Sequence, residues 1–253
     1  MSVPRLVAID CFPESVSSYA GGYAVVAIDV IRATTTAVTA VDLGRRCFPV
    51  PSLEAAVPVA AWLNYPLLAG ELGGNMPYGF HITNSPAQVA RRSDIDRPMI
   101  LLSTSGTQLI CNAAESQAMY VACLRNYSAQ IEYLVDRHPR VAIIGAGSRA
   151  EFREEDQLGC ALVAAGLLEA GYQPVNEQTR AVIDRWAEAP VEAILGGKSA
   201  EYLRRSGQDA DLEFVLTHIN DLSGVYRYQR GEITAIGTRA DLELSATAVE
   251  AAG

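Results

Sequence analysis

Lysine is nearly missing from this chain: of its 20 basic residues only Lys198 is a lysine, and the rest are arginines. Schiff-base chemistry, or a phosphate-binding lysine in a Gly-rich loop, would have to rest on that one residue. GGKSAEYLRR has no Walker-type spacing around it, so Lys198 is expected on the surface near a helix start. Cysteine is sparse and unpatterned. Cys11, Cys47, Cys111, Cys123 and Cys160 make an odd set with no CxxC, which fits free, mostly buried thiols in a reducing cytosol. No apolar run approaches the roughly 20 residues that span a bilayer. The start, MSVPRLVAIDCFPES, lacks a basic region followed by a long apolar stretch, so no signal peptide and no membrane are expected. Positive charge is outweighed, 20 Lys and Arg against 29 Asp and Glu, for a net charge of −9. That average field repels a phosphate polyanion, so nucleic acid is not an expected partner. The expectation is a cytoplasmic globular protein that meets any anionic ligand with local donors or a metal.

Apolar residues are plentiful, 49% of 253, enough for a large core. Strands are expected at 5–11, 23–30, 47–51, 67–71, 99–104, 119–124, 141–145 and 233–236. Helices are expected at 34–43, 52–63, 106–115, 127–137, 154–171, 176–188 and 208–219. Stretches such as AVVAIDV, MILLST and VAIIG are continuously apolar, as in strands covered on both faces. Their alternation with helices predicts an α/β fold, a three-layer sandwich around a mostly parallel or mixed sheet. Residues 1–239 read as one α/β domain, with a weak boundary between two lobes near 175. Residues 240–253 read as a flexible tail.

Ligands in such sheets bind at the carboxyl ends of strands. Four ends here carry more polar chemistry than a turn requires. In AVVAIDVIRATTTAV an apolar strand runs into Asp29 and Arg32, and Thr34, Thr35 and Thr36 open a helix whose start can hold an anion. Arg32 adds a two-point clamp on phosphate or sulfonate oxygens; facing a ligand, it is expected to contribute little to the core. In PMILLSTSGT a strand ends in Ser103, Thr104, Ser105, Gly106 and Thr107, a second hydroxyl-rich cradle in which Gly106 allows close backbone approach. In PLLAGELGGN Glu71 ends a strand and opens a long irregular loop that reaches Asn84. In GSRAEFREEDQLG the acids Glu151, Glu154, Glu155 and Asp156 stand at a helix mouth. Glu154 and Glu151 suit the helix dipole, while Glu155 and Asp156 are carboxylates of the kind Mg²⁺ uses.

Familiar signatures fail around these ends. Gly145-Ala146-Gly147-Ser148-Arg149-Ala150 fits a dinucleotide fingerprint, yet the REED cluster that follows would repel a pyrophosphate. Asp94-Ile95-Asp96 lacks the buried strand of aspartyl-phosphate enzymes. Arg137-His138-Pro139 misses the RHG of histidine phosphatases, and no cysteine has an arginine six positions later. An NAD(P)-linked oxidoreductase resting on GAGSRA, and a non-catalytic sensor of phosphorylated acids resting on the two cradles, remain as alternatives.

In order and spacing, IDVIRATTTAVTA, LLAGELGG, GFHITNSP, LLSTSGT and FREEDQLGCA resemble the 2-phosphosulfolactate phosphatases, from about Asp10 to Ile236. The resemblance implies a family-specific α/β fold, a homodimer, and Mg²⁺-dependent hydrolysis of 2-phospho-3-sulfolactate to 3-sulfolactate and phosphate, a step toward coenzyme M. By similarity, Asp29 and Arg32 match the DxxRATT block, Glu71 the GE block, and Ser103 to Thr107 the hydroxyl-rich turn. Glu155, Asp156 and Cys160 match an ED-x-x-x-C arrangement. Catalytic roles are therefore expected for Asp29, Arg32 and Glu71, and metal binding for Asp29, Glu155 and Asp156. Substrate contacts are expected from Thr34, Thr35, Asn84, Ser103, Thr104, Ser105, Gly106 and Thr107. Ser105 stands where the pattern has Asn, and Glu154 where a small residue is common.

Overall fold

Strands that are apolar at every position need cover on both faces, and they have it. A computed structural model describes residues 4–135 and 137–238; the tail expected at 240–253 lies outside the described residues. The strands are β1 (Leu6–Cys11), β2 (Ala24–Ile28), β3 (Cys47–Val50), β4 (Leu67–Gly70), β5 (Met99–Leu102), β6 (Ala118–Ala122), β7 (Arg140–Gly145), β8 (Gln173–Pro174), β9 (Gly224–Gln229) and β10 (Glu232–Thr238). The helices are α1 (Ala33–Asp42), α2 (Leu53–Trp62), α3 (Pro86–Ala90), α4 (Gly106–Asn112), α5 (Tyr127–Leu134), α6 (Glu154–Glu169), α7 (Glu177–Trp186), α8 (Lys198–Arg205) and α9 (Asp209–Thr217). Every residue of β2, β5 and β6 is buried. The expected elements form within a few residues of their sequence bounds. Missing from the expectation are the short α3 and α8 and the strands β8 and β9.

One sheet holds all the strands in the order β4-β5-β3-β10-β9-β6-β2-β7-β1-β8. β4, β5 and β3 run parallel, as do β6, β2, β7, β1 and β8. Between these two parallel groups the β9–β10 hairpin pairs antiparallel on both sides, β10 with β3 and β9 with β6. The sheet is therefore mixed, in a three-layer α/β sandwich. One face packs on α5, α6 and α7, through residues such as Leu158, Val163, Leu167 and Ile183. The other packs on α1 and α4, where Ala37, Val38, Leu109 and Ile110 meet strands of both parallel groups, including Met99, Leu101, Val25 and Val121. Outside the first group, α2 covers Phe48, Val50 and Ile100.

That second face decides where a ligand can sit. β5 and β2 are five inter-strand steps apart in sheet order, roughly 24 Å in a flat sheet at about 4.8 Å per step. Yet a Cβ built on Gly106, just past β5, would fall 2.1 Å from the carboxylate of Asp29, just past β2. The sheet therefore curls around α1 and α4, as right-handed twist allows, and the carboxyl ends of its two parallel groups converge.

Candidate active site

Where those ends converge lies a cavity of about 250 Å³. Pockets for drug-sized molecules run to about 300–1,000 Å³, so this one suits a small metabolite. Asp29, Arg32, Glu71, Asn84, Ser103, Thr104, Ser105, Glu155 and Asp156 line it. Chain segments up to 127 positions apart thus bring nine of the expected residues to one place.

At the β2–α1 turn the backbone is locked by a threonine. The Thr34 hydroxyl donates to the Asp29 carbonyl at 2.8 Å and accepts from the Asp29 N–H at 2.9 Å. The Thr35 hydroxyl donates to the Val30 carbonyl at 2.8 Å. Both side chains are buried beneath the cavity, so the expectation that Thr34 and Thr35 contact substrate is corrected: their hydroxyls close the turn instead. The turn presents Asp29. Its Oδ1 accepts from the Ala33 N–H at 3.1 Å, and its Oδ2 lies against Gly106, where any side chain would collide.

The β5–α4 turn repeats the device one chemical step simpler. The Thr107 hydroxyl accepts from the Ser103 N–H at 2.9 Å and donates to the Ser103 carbonyl at 3.0 Å. Thr107, like Gly106, sits under the cavity rather than in its wall, which corrects both as substrate contacts. Ser103, the exposed Thr104 and the half-buried Ser105 face the cavity. Glu71 also reaches it, with its carboxylate held by three donors: Oε1 accepts from the Thr104 N–H at 2.7 Å, and Oε2 from the Thr104 hydroxyl at 2.9 Å and the Gly74 N–H at 2.7 Å. Glu71 thus braces the 103–107 turn while it lines the cavity and places its charge near Asp29.

Arg32 is 4% exposed. Its Nη1 donates to Gln208 Oε1 at 2.6 Å and to Asp211 Oδ2 at 2.5 Å. Asp211, itself buried, also accepts from the Ser85 hydroxyl at 2.5 Å and the Ala87 N–H at 3.1 Å. This ion pair ties α1 to α9 and to the start of α3, and overturns the expectation that Arg32 matters little to the fold. Beside it Asn84 is buried, with its Oδ1 unpartnered.

Three buried carboxylates, Asp29, Glu155 and Asp156, crowd one another in the cavity wall. Asp156 Oδ1 accepts from the Val30 N–H at 2.9 Å and Oδ2 from the Gly147 N–H at 3.1 Å, so Asp156 pins the ends of β2 and β7 together. Glu155 is 1% exposed and its Oε2 has no partner. Burial pushes all three carboxyls up. Asp29 rises to about 7, with the charges of Glu71 and Glu155 adding to burial. Asp156 rises well above the usual carboxylate range through burial and then the charges of Asp29 and Glu155.

Such mutual repulsion is relieved by a cation. Among the described residues, no three His, Cys, Asp or Glu side chains form a metal cage by themselves. Mg²⁺ needs only one or two carboxylates, and completes its shell with water and phosphate oxygens. The free oxygens of Glu155 and Asp29 fit that requirement, and Asp156, whose oxygens each accept one backbone N–H, keeps a lone pair on each.

The remaining wall was not recognised from sequence. Gly147, Ser148, Arg149 and Arg153 from the β7–α6 loop, and Lys198, Ser199, Tyr202 and Leu203 from α8, all line the cavity. Lys198, expected on the surface near a helix start, stands there as the exposed first residue of α8, and it pairs with Glu151. The GAGSRA segment builds this wall, and its Gly147 N–H is engaged by Asp156 rather than free for a pyrophosphate. The signal in sequence was weak, because α8 buries only Ala200 and Leu203 and so shows little apolar periodicity.

The model of the 2-phosphosulpholactate phosphatase family matches residues 11–231. A probable 2-phosphosulfolactate phosphatase of Synechococcus sp. (strain WH7803) is 30% identical over 208 residues, covering 79% of this chain and 84% of the relative. One of Carboxydothermus hydrogenoformans is 30% identical over 185 residues, 73% of this chain and 76% of its own. One of Pseudothermotoga lettingae is 38% identical over 146 residues, 58% and 62% of the two chains.

Proposed function

The chain belongs to the 2-phosphosulpholactate phosphatase family, and from that premise we propose Mg²⁺-dependent hydrolysis of a small phosphorylated acid, 2-phospho-3-sulfolactate foremost, to 3-sulfolactate and phosphate. One observation carries the reading: Asp29, Glu155 and Asp156 converge with Arg32 in a single small cavity. Phosphoryl transfer needs positioning and charge neutralisation more than covalent chemistry, and these residues supply both. Arg32, held by Asp211, meets the phosphoryl oxygens with the part of its guanidinium that faces the cavity. Ser103, Thr104 and Ser105 hold further oxygens from the β5–α4 turn. Asp29 and Glu155 would hold the ion, with Asp156 fixing the floor between them. When bound, Mg²⁺ neutralises the phosphoryl oxygens and makes a water more acidic. A cytoplasmic homodimer serving coenzyme M formation completes the proposal.

The test is phosphate release from small phospho-acids, including 2-phosphosulfolactate, with Mg²⁺ and with chelator. Release that requires Mg²⁺, together with a rise in Tm on adding Mg²⁺ that Glu155→Gln abolishes, supports the proposal. Ligand-induced stabilisation with no release points to a sensor and overturns it. Light scattering tests the dimer.

A further inference from the structure

The cavity has a second, chemically different wall. Arg149, Arg153, Lys198 and Ser199 line it on the side formed by the β7–α6 loop and the start of α8. Three cations in a chain of net charge −9 are a local exception to the average field. Glu151 is the carboxylate that serves them: its Oε2 accepts from Arg153 Nη1 at 2.7 Å, and its Oε1 pairs with Lys198 Nζ. Arg149 has no hydrogen bond or ion pair among the described residues, and its backbone stands at φ 51°, in the left-handed region. Arg153 is 8% exposed, and its Nε is buried with no partner. The wall therefore holds the unpaired guanidinium of Arg149 and an unsatisfied N–H on Arg153, whose charge, with the Ser199 hydroxyl, also acts on Glu155.

We infer that this wall is the subsite for an acid group of the substrate, a carboxylate or sulfonate carried on the same small molecule as the phosphate ester. The inference rests on the phosphatase reading for the ester itself, which Arg32 and the 103–105 turn receive. An acid group beside a phosphate ester would be repelled by Asp29 and Glu155 if it turned toward them. Facing Arg149, Arg153 and Lys198, it is instead neutralised. Glu151 holds Arg153 and Lys198 in place, and Arg149 contributes the free guanidinium. The wall is thus a determinant of specificity: it distinguishes a phosphorylated acid from a plain phosphate ester of similar size.

A ladder of three esters tests this: isopropyl phosphate, 2-phospholactate, which adds a carboxylate, and 2-phospho-3-sulfolactate, which adds a sulfonate as well. Arg149→Ala and Lys198→Ala should lower kcat/KM on the acid-bearing esters about ten- to a hundred-fold more than on isopropyl phosphate, the worth of a charge-assisted contact. The change should lie mainly in KM. The rung at which the loss appears identifies the group bound: the carboxylate if at 2-phospholactate, the sulfonate if only at 2-phospho-3-sulfolactate. Equal losses on all three esters, or none on any, would overturn the subsite. If the wild type hydrolyses no ester, the phosphatase reading fails on its own, and calorimetry with 3-sulfolactate decides the subsite. Binding to wild type that both variants weaken at least ten-fold supports it. No binding to wild type, or equal binding to all three proteins, overturns it.

Discussion

The two turns that meet at the cavity, where Gly106 packs on Asp29, are built alike and behave differently. In both, a threonine hydroxyl closes on the residue at the end of a strand, accepting its N–H and donating to its carbonyl: Thr34 on Asp29, Thr107 on Ser103. The β2–α1 turn then carries a buried carboxylate and a buried arginine. The β5–α4 turn carries only hydroxyls, one of them on exposed Thr104. The shared device sets backbone shape; the difference decides where charge sits. A buried charge needs a partner, so Arg32 of the first turn reaches out to Asp211, while the second turn is braced by Glu71.

The widest gap between the turns should appear in catalysis. Asp29→Asn should lower kcat/KM about a thousand-fold, a large loss of electrostatic stabilisation, and Ser103→Ala about ten-fold or less. Steady-state phosphate release measures both; similar losses would erase the distinction. Stability should separate the turns next. Arg32→Ala leaves Asp211 buried without its charge partner, and should cost about 3–5 kcal/mol in a denaturant titration. Adding Asp211→Ala should recover part of that loss, as coupled neighbours do. Ser105→Ala, at the matching place in the neutral turn, should stay within about 0.5 kcal/mol.

Burial of Asp29 has a signed consequence for pH. Its carboxyl is raised in the folded protein to about 7, above the unfolded value of about 3.9. Between those values the folded state holds a proton that the unfolded state has released, so this group makes metal-free protein less stable as pH rises from about 4 to about 7. The loss is at most on the order of 4 kcal/mol. Asp29→Asn should flatten this slope, and Mg²⁺ should restore stability at the alkaline end; Tm against pH, with chelator and with Mg²⁺, checks both. The smallest effect tests the shared device. Thr34→Val and Thr107→Val each leave a strand-end N–H unpaired, and each should cost about 1–3 kcal/mol. Clearly unequal costs would show that the two closures are alike only in outline.

Much of this was legible because it is local. An apolar run followed by Asp-x-x-Arg-x-Thr, or by Ser-Thr-Ser-Gly-Thr, announces a buried strand ending at a polar helix start. β2, α1, β5 and α4 form there, and Asp29, Arg32, Ser103 and Ser105 stand in one cavity. What those side chains do once there was not legible. Thr34 and Glu71 have the right chemistry for a ligand, but their hydrogen-bond partners turn out to be backbone groups and a neighbouring turn. Lys198 is the opposite case: its exposed place at a helix start was legible, and its partner was not. It lies in a short helix with two buried residues, and its place in the wall depends on Glu151, forty-seven positions earlier.

By itself, then, the sequence determined the alternation of buried strands and helices, the acidic surface, and the polar residues that end particular strands. Those follow from residue type and spacing within a dozen positions. Only the tertiary structure decided that the β9–β10 hairpin joins two parallel groups, and that the sheet curls until Gly106 touches Asp29. It likewise decided that Asp211 in α9 anchors Arg32 and that Arg149, Arg153 and Lys198 share a wall. The physical reason is the same for each. A hydrogen bond or ion pair between residues a hundred positions apart leaves no periodicity in either segment, and forms only when packing brings the two together.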